Sequence, residues 1–275
     1  MIYRTIDREK DMLIGVEMDK VEIEQVQRPE QVQQEPEKRE LMLEGIEKTY
    51  PSEICFDGML GAVHNQIYNG QGLGTCYAEA ATAWIEYWVW RKTGRLIQFT
   101  KNEIFDVAVD AKTMYGYDYR KNTRLTTIFA TGGSPNNVFN YAYKYNLNLG
   151  WHYFTDRQES QNFKLFRELA EKCLKDKTFR TRSFNDLPFT KDEDSARKNA
   201  TRILAEHGPF VYVSYTDSQR RSTHAWLAVG ANKDGLLMRN SYGDPSLCMD
   251  KWGAVVKYAT DGTWNCVPMI ETKMF

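Results

Sequence analysis

The stretch GQGLGTCYAEAATAWIEYW, residues 70–88, sets a glycine-rich turn directly before Cys76 and continues into a long run of helix-forming residues. This run predicts an α-helix that begins at the cysteine and ends near Gly94, because glycine commonly follows the last helical residue. A helix N-terminus carries unpaired N–H groups and about half a positive charge, which favours a thiolate. Two interpretations of Cys76 stay open: an activated nucleophile, or a small residue buried in the core.

The composition excludes several classes of protein. The 275 residues carry a formal net charge of -1, which gives no general attraction to nucleic acid or anionic lipid. No stretch approaches the ~20 apolar residues of a membrane span, and the N-terminal stretch lacks the apolar segment of a signal peptide. The five cysteines show no CxxC spacing, which favours reduced thiols over disulfides or a zinc site. We expect a cytoplasmic protein with no metal or other cofactor and no nucleic-acid or membrane partner.

The chain divides into an N-terminal arm, residues 1–50, and a globular domain, residues 51–275. The arm is acidic overall and rich in Gln and Glu, with few large apolar side chains. Burial alone cannot offset the entropy that ordering such a segment costs. An ordered arm therefore requires contacts with its own domain or with a protein partner.

Helical patterns dominate the first half of the domain. Thr100 and Glu103 form a capping-box pattern that predicts the start of a second helix, and Pro135 stands at the first turn of a third. Two further helices are predicted over residues 162–176 and 192–208.

Short apolar or alternating runs follow, and they predict strands. These runs are PFVYVSY, HAWLAVGA, GLLMRNSYG and WGAVVKY, which begin at residues 209, 224, 235 and 252. The polar break NKDG, residues 232–235, predicts an antiparallel hairpin between the second and third runs. A helical half followed by an antiparallel β half predicts an α+β fold with a cleft between the halves.

His224 is the histidine that stands out among the four in the chain. It begins a predicted strand, and the hairpin returns the chain to Asn240 beside it. The amide oxygen of Asn240 could accept the ring N–H and select one tautomer of the imidazole. Taken singly, a solvent-bonded histidine at a strand end and an asparagine suited to a turn explain these residues as well.

Together these motifs resemble the papain-like cysteine peptidases. GAVHNQIYNGQGLGTCYAEA is similar to that family's GAV, NQ and GxCWAFS, while THAWLAVGA and MRNSYG are similar to its DHAVxxVGYG and KNSWG. The step of sixteen residues from His224 to Asn240 also fits the family. Further similar segments between these motifs occur in the family's order, over roughly residues 52 to 260.

The resemblance implies a two-lobed fold in which a helical left lobe carries the nucleophile and a β-rich right lobe carries the base. Cys76 would be the nucleophile, His224 the base and then the acid, and Asn240 the orienting group. The implied reaction is hydrolysis of peptide bonds in a peptide or protein substrate through a thioester acyl-enzyme. A thiolate–imidazolium pair would be the resting state.

The chain departs from the family pattern near the oxyanion site. The family's glutamine lies six residues before the cysteine, where this chain has Gly70; Gln71 lies five before it and Gln66 ten before it. We favour Gln71 as the second oxyanion donor beside the Cys76 N–H, with Gln66 as the alternative. Tyr242 replaces the tryptophan that shields the Asn–His hydrogen bond in the family, and it keeps an aromatic face.

The resemblance also indicates substrate-binding residues. Gly132 and Gly133 match the segment that pairs with the substrate backbone, although an ordinary turn before the next helix explains them equally well. Pro135, Val213 and Thr223 would line the pocket for the second substrate residue before the cut. No acidic residue occupies these positions, so an apolar side chain is the expected preference there.

Two alternatives to a peptidase remain. The shifted glutamine, a shortened segment before His224 and the unusual arm fit a papain-fold scaffold subunit of a large intracellular assembly, such as a cytoskeletal one, with weak or no activity. The same three residues could also carry transferase or isopeptide chemistry, because an amine can attack a thioester as readily as water.

Overall fold

The structure is a computed structural model. It describes residues 4–5, 50–68, 70–113, 132–145, 160–174, 177–184, 187, 189–242, 245–260 and 265–272. Most of the predicted arm, residues 1–50, lies outside the described residues. Within them the helices are α1 Cys76–Thr93, α2 Lys101–Thr113, α3 Pro135–Tyr145, α4 Gln161–Leu174, α5 Glu193–His207 and α6 Trp252–Tyr258.

The described residues contain more strands than the sequence predicts. The described strands are β1 Arg4–Thr5, β2 Ile54–Cys55, β3 Ile67–Tyr68, β4 Gln71–Gly72, β5 Lys177–Ser183, β6 Phe210–Tyr215, β7 Thr223–Ala231, β8 Gly235–Asn240, β9 Ser246–Lys251 and β10 Cys266–Thr272. The main sheet has the order β1-β9-β8-β7-β6-β10-β5, and β2 pairs with β7 off this path. Only the β1–β9 pair is parallel among these described pairs.

Helix α1 forms the centre of the molecule. It is rich in alanine, its residues from Tyr77 to Val89 are buried on every side, and it packs against β7 and α3. A helix that is buried all round needs no polar face, which explains why its apolar pattern is not amphipathic. Gly94 ends the helix in the left-handed conformation with φ 69°, as its position in the sequence predicts.

The predicted cap of α2 and the predicted hairpin are confirmed. The Thr100 N–H donates to Glu103 Oε2 at 2.6 Å, and the Glu103 N–H donates to Thr100 Oγ1 at 3.3 Å. In the turn between β7 and β8, Asn232 Oδ1 accepts hydrogen bonds from the Asp234 and Gly235 N–H groups. These local bonds replace backbone pairs that the turn cannot form.

The strand predicted over residues 252–258 is wrong, because this segment is the helix α6. Trp252 and Val255 are buried one helical turn apart, and the Trp252 indole donates to Asn232 O at 3.0 Å. A short apolar run fits a buried strand and a buried helical turn equally well, so only the packing decides. Strands β1 to β5, β9 and β10 were not predicted. The sequence of β5, KTFRTRS, is mostly polar, β10 contains Pro268, a residue that disfavours a strand interior, and β1 to β4 have only two residues each.

The start of the arm lies against the domain. Arg4 and Thr5 pair with Cys248 and Met249 and so extend the edge of the sheet beyond β9. Among the described residues, no helix combines the length and the apolar character that crossing a membrane requires.

Candidate active site

Cys76 is the first residue of α1 and is partly buried. Thr75 precedes it without a side-chain cap, so the first-turn N–H groups have no capping acceptor from that residue. The backbone N–H groups of Ala225 and Tyr77 face the sulfur and favour its thiolate. Ala225 follows His224 in β7, and this contact brings α1 and the histidine strand together at the sulfur.

Burial dominates the ionisation of Cys76. It raises the pKa of the thiol to about 11, and the nearby Glu79 carboxylate acts in the same direction. The N–H groups of Ala225 and Tyr77 lower the pKa but do not cancel the burial. This differs from the effect expected of a helix N-terminus alone, because the sequence does not show how much protein packs around the thiol in place of water.

His224 and Asn240 are brought together as the hairpin predicts. His224 Nε2 lies 3.2 Å from Asn240 Oδ1, and both residues are buried. The Asn240 amide is itself held in place, since its Nδ2 donates to Tyr242 O at 2.6 Å and its Oδ1 accepts the Tyr242 N–H at 3.2 Å. The imidazole therefore has a positioned acceptor for one ring nitrogen.

An aromatic ring that the sequence reasoning missed lies against His224. The Trp226 ring is perpendicular to the imidazole with the centroids 4.5 Å apart, and its indole donates to Ser214 Oγ at 3.1 Å. Alternation along β7 places His224 and Trp226 on one face of the sheet, so their spacing of two residues was the available signal. Tyr242, which the resemblance indicates as the shield, is only partly buried.

The two candidate glutamines lie in different environments. Gln66 is buried: its Nε2 donates to Leu73 O at 2.9 Å, and its Oε1 accepts from Ser241 Oγ at 2.7 Å. Gln71 is exposed on β4 of the small β3–β4 hairpin. The amide of Gln66 thus ties this hairpin to the segment after Asn240, while the Gln71 side chain is solvent-accessible.

The predicted substrate-binding residues lie on the loop before α3 and on the elements α3, β6 and β7. Gly133 is exposed, Gly132 and Thr223 are partly buried, and Pro135 and Val213 are buried. A Cβ atom at Gly133 would lie 2.5 Å from Tyr77 Cζ, whereas a Cβ atom at Gly132 would meet nothing within 4 Å. Val213 pairs with Ala225 across the β6–β7 ladder. Gly133 therefore lies against the residue after Cys76, and Val213 lies opposite the residue after His224.

A buried cluster of ionisable side chains, His64, Glu79 and Glu86, was not predicted from the sequence, and its Glu79 acts on the Cys76 thiol. His64 Nε2 lies 3.1 Å from Glu86 Oε1. Burial lowers the pKa of His64, but Glu86 and then Glu79 outweigh it, so the pKa is raised. Burial raises the pKa of Glu79 to about 7, against smaller opposing effects of His64 and Thr75. The predicted helix already contained both glutamates, but no sequence signal indicated that His64, which lies in a separate loop, would interact with them.

No family model and no curated protein matches this chain. Among solved structures, digestive procathepsin L 3 of the Tenebrio molitor larval midgut has a TM-score of 0.50 and 15% identity, over 80% of this chain and 70% of that chain. The chain has a papain-like fold. The proform of the Amb a 11 cysteine protease, a ragweed pollen allergen, has a TM-score of 0.49 and 16% identity, over 84% of this chain and 69% of that chain.

The papain-like fold confirms the predicted α+β class and its two-lobed architecture. Helices α1 to α4 precede β5 in the chain, and the main sheet consists of β1, β2 and β5 to β10. In the part of the chain that the structure describes, no group of three or more His, Cys, Asp or Glu side chains is arranged to hold a metal ion.

Proposed function

We propose that the protein is a cysteine peptidase that hydrolyses peptide bonds through Cys76, His224 and Asn240. The observation that carries the proposal is the 3.2 Å contact between His224 Nε2 and Asn240 Oδ1, next to a residue whose N–H faces the Cys76 sulfur. A nucleophile, a base and a group that orients the base are the parts that acyl transfer to a thiol requires.

Because the pKa of Cys76 is raised, the proposed reaction requires His224 to accept the thiol proton. Deprotonating a thiol with a pKa of about 11 near neutral pH costs about 5 kcal/mol if no positive charge forms beside it. Transfer of the proton to His224 creates an imidazolium next to the thiolate, and Asn240 holds that imidazolium in place. In this proposal the ion pair with His224, rather than the helix N-terminus alone, makes the sulfur reactive.

The chemistry then proceeds in two stages. The sulfur attacks the peptide carbonyl carbon, an S–C bond forms, and the carbonyl electron pair moves onto oxygen. As the C–N bond breaks, the imidazolium gives its proton to the amine. Water then attacks the thioester while His224 accepts its proton, which releases the carboxylic acid and the thiol.

The oxyanion of each tetrahedral intermediate needs donors. The Cys76 backbone N–H at the head of α1 is one, since it lies in the first helical turn. Gln71 remains our proposal for the second, because its side chain is exposed whereas the Gln66 amide already bonds Leu73 and Ser241. Gly132, Gly133, Pro135, Val213 and Thr223 remain the proposed substrate contacts.

Alkylation with iodoacetamide tests the proposal. At pH 5 to 6, well below the ordinary thiol pKa of about 8.5, an isolated thiol is almost fully protonated, so Cys76 should react much faster than the other cysteines. His224→Ala should remove this selectivity, and Cys76→Ala should abolish hydrolysis of a fluorogenic peptide with an apolar second residue before the cut. Uniform slow alkylation in the unaltered protein would contradict the peptidase.

A papain-fold scaffold without activity is the second candidate. The raised thiol pKa and the engagement of Gln66 in structural bonds favour it. In this case His224→Ala and Cys76→Ala would leave the function unchanged, and Cys76 would alkylate no faster than Cys55, the other cysteine in the described residues whose side chain is partly buried. The same alkylation experiment therefore separates the two candidates.

A further inference from the structure

Three side chains lie together on the face of the sheet that carries His224. Ser214 on β6 pairs directly with His224 on β7, and alternation along β7 places Trp226 on the same face as His224. All three are buried, with exposed fractions of 0% for Ser214 and Trp226 and 3% for His224. The His224 imidazole is therefore enclosed almost entirely by protein.

The Trp226 indole contacts the imidazole in a defined geometry. The two rings are perpendicular, at 89°, and their centroids lie 4.5 Å apart. This is the edge-to-face arrangement that aromatic pairs favour, and its energy depends on the orientation of both rings. Rotation of the imidazole about its Cβ–Cγ bond changes that geometry, so the contact favours one ring plane.

Ser214 holds the indole in this position. Trp226 Nε1 donates to Ser214 Oγ at 3.1 Å. The Ser214 backbone is itself paired on two sides, with His224 in the β6–β7 ladder and with Ala259 in an isolated bridge. The hydrogen bond to Ser214 therefore orients the indole beside the imidazole more narrowly than burial alone would.

The contact between His224 and Asn240 calls for a second constraint of this kind. His224 Nε2 lies 3.2 Å from Asn240 Oδ1, at the long end of the range for N–H···O hydrogen bonds. Asn240 selects the ring edge that faces it, while the perpendicular indole opposes rotation of the ring plane. We propose that Trp226, anchored by Ser214, is a positioning residue that holds the His224 ring in the orientation needed for proton transfer. This inference rests on the proposed peptidase function.

Steady-state hydrolysis by three single variants tests the inference. Trp226→Leu offers no ring, so kcat should fall by about 10- to 100-fold with little change in KM, because a misplacement of about 1 Å can have an effect of this size. Trp226→Phe and Ser214→Ala each keep a ring beside His224 but lose the hydrogen bond that anchors it. Each should lower kcat by only about threefold to tenfold.

A double variant separates anchoring from general packing. A phenyl ring has no N–H for Ser214 to accept, so adding Ser214→Ala to Trp226→Phe should cause no further loss of kcat. Trp252→Leu is the matched control, because Trp252 is also buried and its indole donates to Asn232 O, at the other end of β7 from His224. It should lower stability and leave kcat nearly unchanged. Additive losses in the double variant, or equal losses of kcat in Trp226→Leu and Trp252→Leu, would overturn the proposal.

Long-range ¹H–¹⁵N NMR gives a readout that does not depend on activity. In a Cys76→Ala background near pH 8, above roughly the ordinary titration range of histidine, His224 should show one tautomer, protonated at Nε2 towards Asn240. Adding Trp226→Leu should populate the second tautomer, whereas Trp252→Leu should not. One tautomer in every variant would overturn the proposal and leave the peptidase proposal intact. Loss of the single tautomer in Trp226→Leu would support it even if the unaltered protein hydrolyses no peptide, a result that would contradict only the peptidase proposal.

Discussion

His224 Nε2 and Asn240 Oδ1 lie 3.2 Å apart, although the two residues are separated by 16 positions in the chain. The β7–β8 hairpin creates this contact, and the Asx turn at Asn232 holds the hairpin. The proposed base and its orienting group therefore lie on one hairpin of the sheet, while the proposed nucleophile belongs to α1.

Removing the orienting amide should slow the reaction without unfolding the domain. Asn240→Ala leaves the His224 ring without its acceptor, so we expect kcat for peptide hydrolysis to fall by at least about tenfold. Asn232→Ala, in the turn of the same hairpin, should lower stability but change kcat much less. Equal losses of kcat in the two variants would indicate that the hairpin matters only for folding.

We expect Gln71 to contribute to the rate of the proposed reaction and Gln66 to contribute to stability. Gln71→Ala should lower kcat by about 10² to 10³ with little change in the free energy of unfolding, because an exposed side chain contributes little to stability. Gln66→Ala removes two buried hydrogen bonds and should cost about 1–3 kcal/mol of stability. Urea unfolding and steady-state kinetics on both variants check this. A loss of kcat in Gln66→Ala alone would contradict the prediction and would indicate that Gln66 is the second oxyanion donor.

The adjacent glycines differ in the space around them. Gly133→Ala places a methyl group within 2.5–2.8 Å of Tyr77 ring atoms, and Tyr77 is buried and bonded through its hydroxyl to Ala108 O. We expect a stability loss of about 1–3 kcal/mol from overpacking. Gly132→Ala meets no atom within 4 Å and should change stability by no more than about 0.5 kcal/mol. Thermal unfolding of both variants tests this; equal melting temperatures would contradict it.

Glu79 should make the protein less stable as pH rises. Its pKa is about 7 in the folded state against an ordinary value of 4.5, so the unfolded chain releases this proton first. The free energy of unfolding should therefore fall between about pH 4.5 and 7, by about 3 kcal/mol in total from this group. Glu79→Gln should remove that fall, whereas Glu171→Gln, at an exposed position, should not. Parallel pH profiles for Glu79→Gln and the unaltered protein would contradict the prediction.

The same carboxylate should control the reactivity of Cys76. A negative charge on Glu79 raises the pKa of the thiol, so Glu79→Gln should accelerate alkylation of Cys76 above pH 7. Below about pH 6 Glu79 is protonated in the unaltered protein, and the two rates should converge. Rates measured across this pH range, with Glu171→Gln as the control, test the coupling. A constant ratio at every pH would contradict it.

The sequence by itself determined the local elements near the proposed site. Alanine content and Gly94 define α1, the Thr100–Glu103 pair caps α2, and the NKDG turn sets the hairpin that joins His224 to Asn240. Each of these signals acts over a few neighbouring residues, so it is readable without a partner element.

The tertiary structure decided what depends on burial and on distant neighbours. The segment 252–258 became a helix because Trp252 and Val255 are buried one turn apart. The Gln66 amide forms hydrogen bonds with Leu73 and Ser241, and His64, in the loop before β3, contacts Glu86 on α1. Desolvation likewise raised the pKa of Cys76 and of Glu79. Removal from water and contact between distant segments arise only when the chain packs, and one sequence carries no local signal for either.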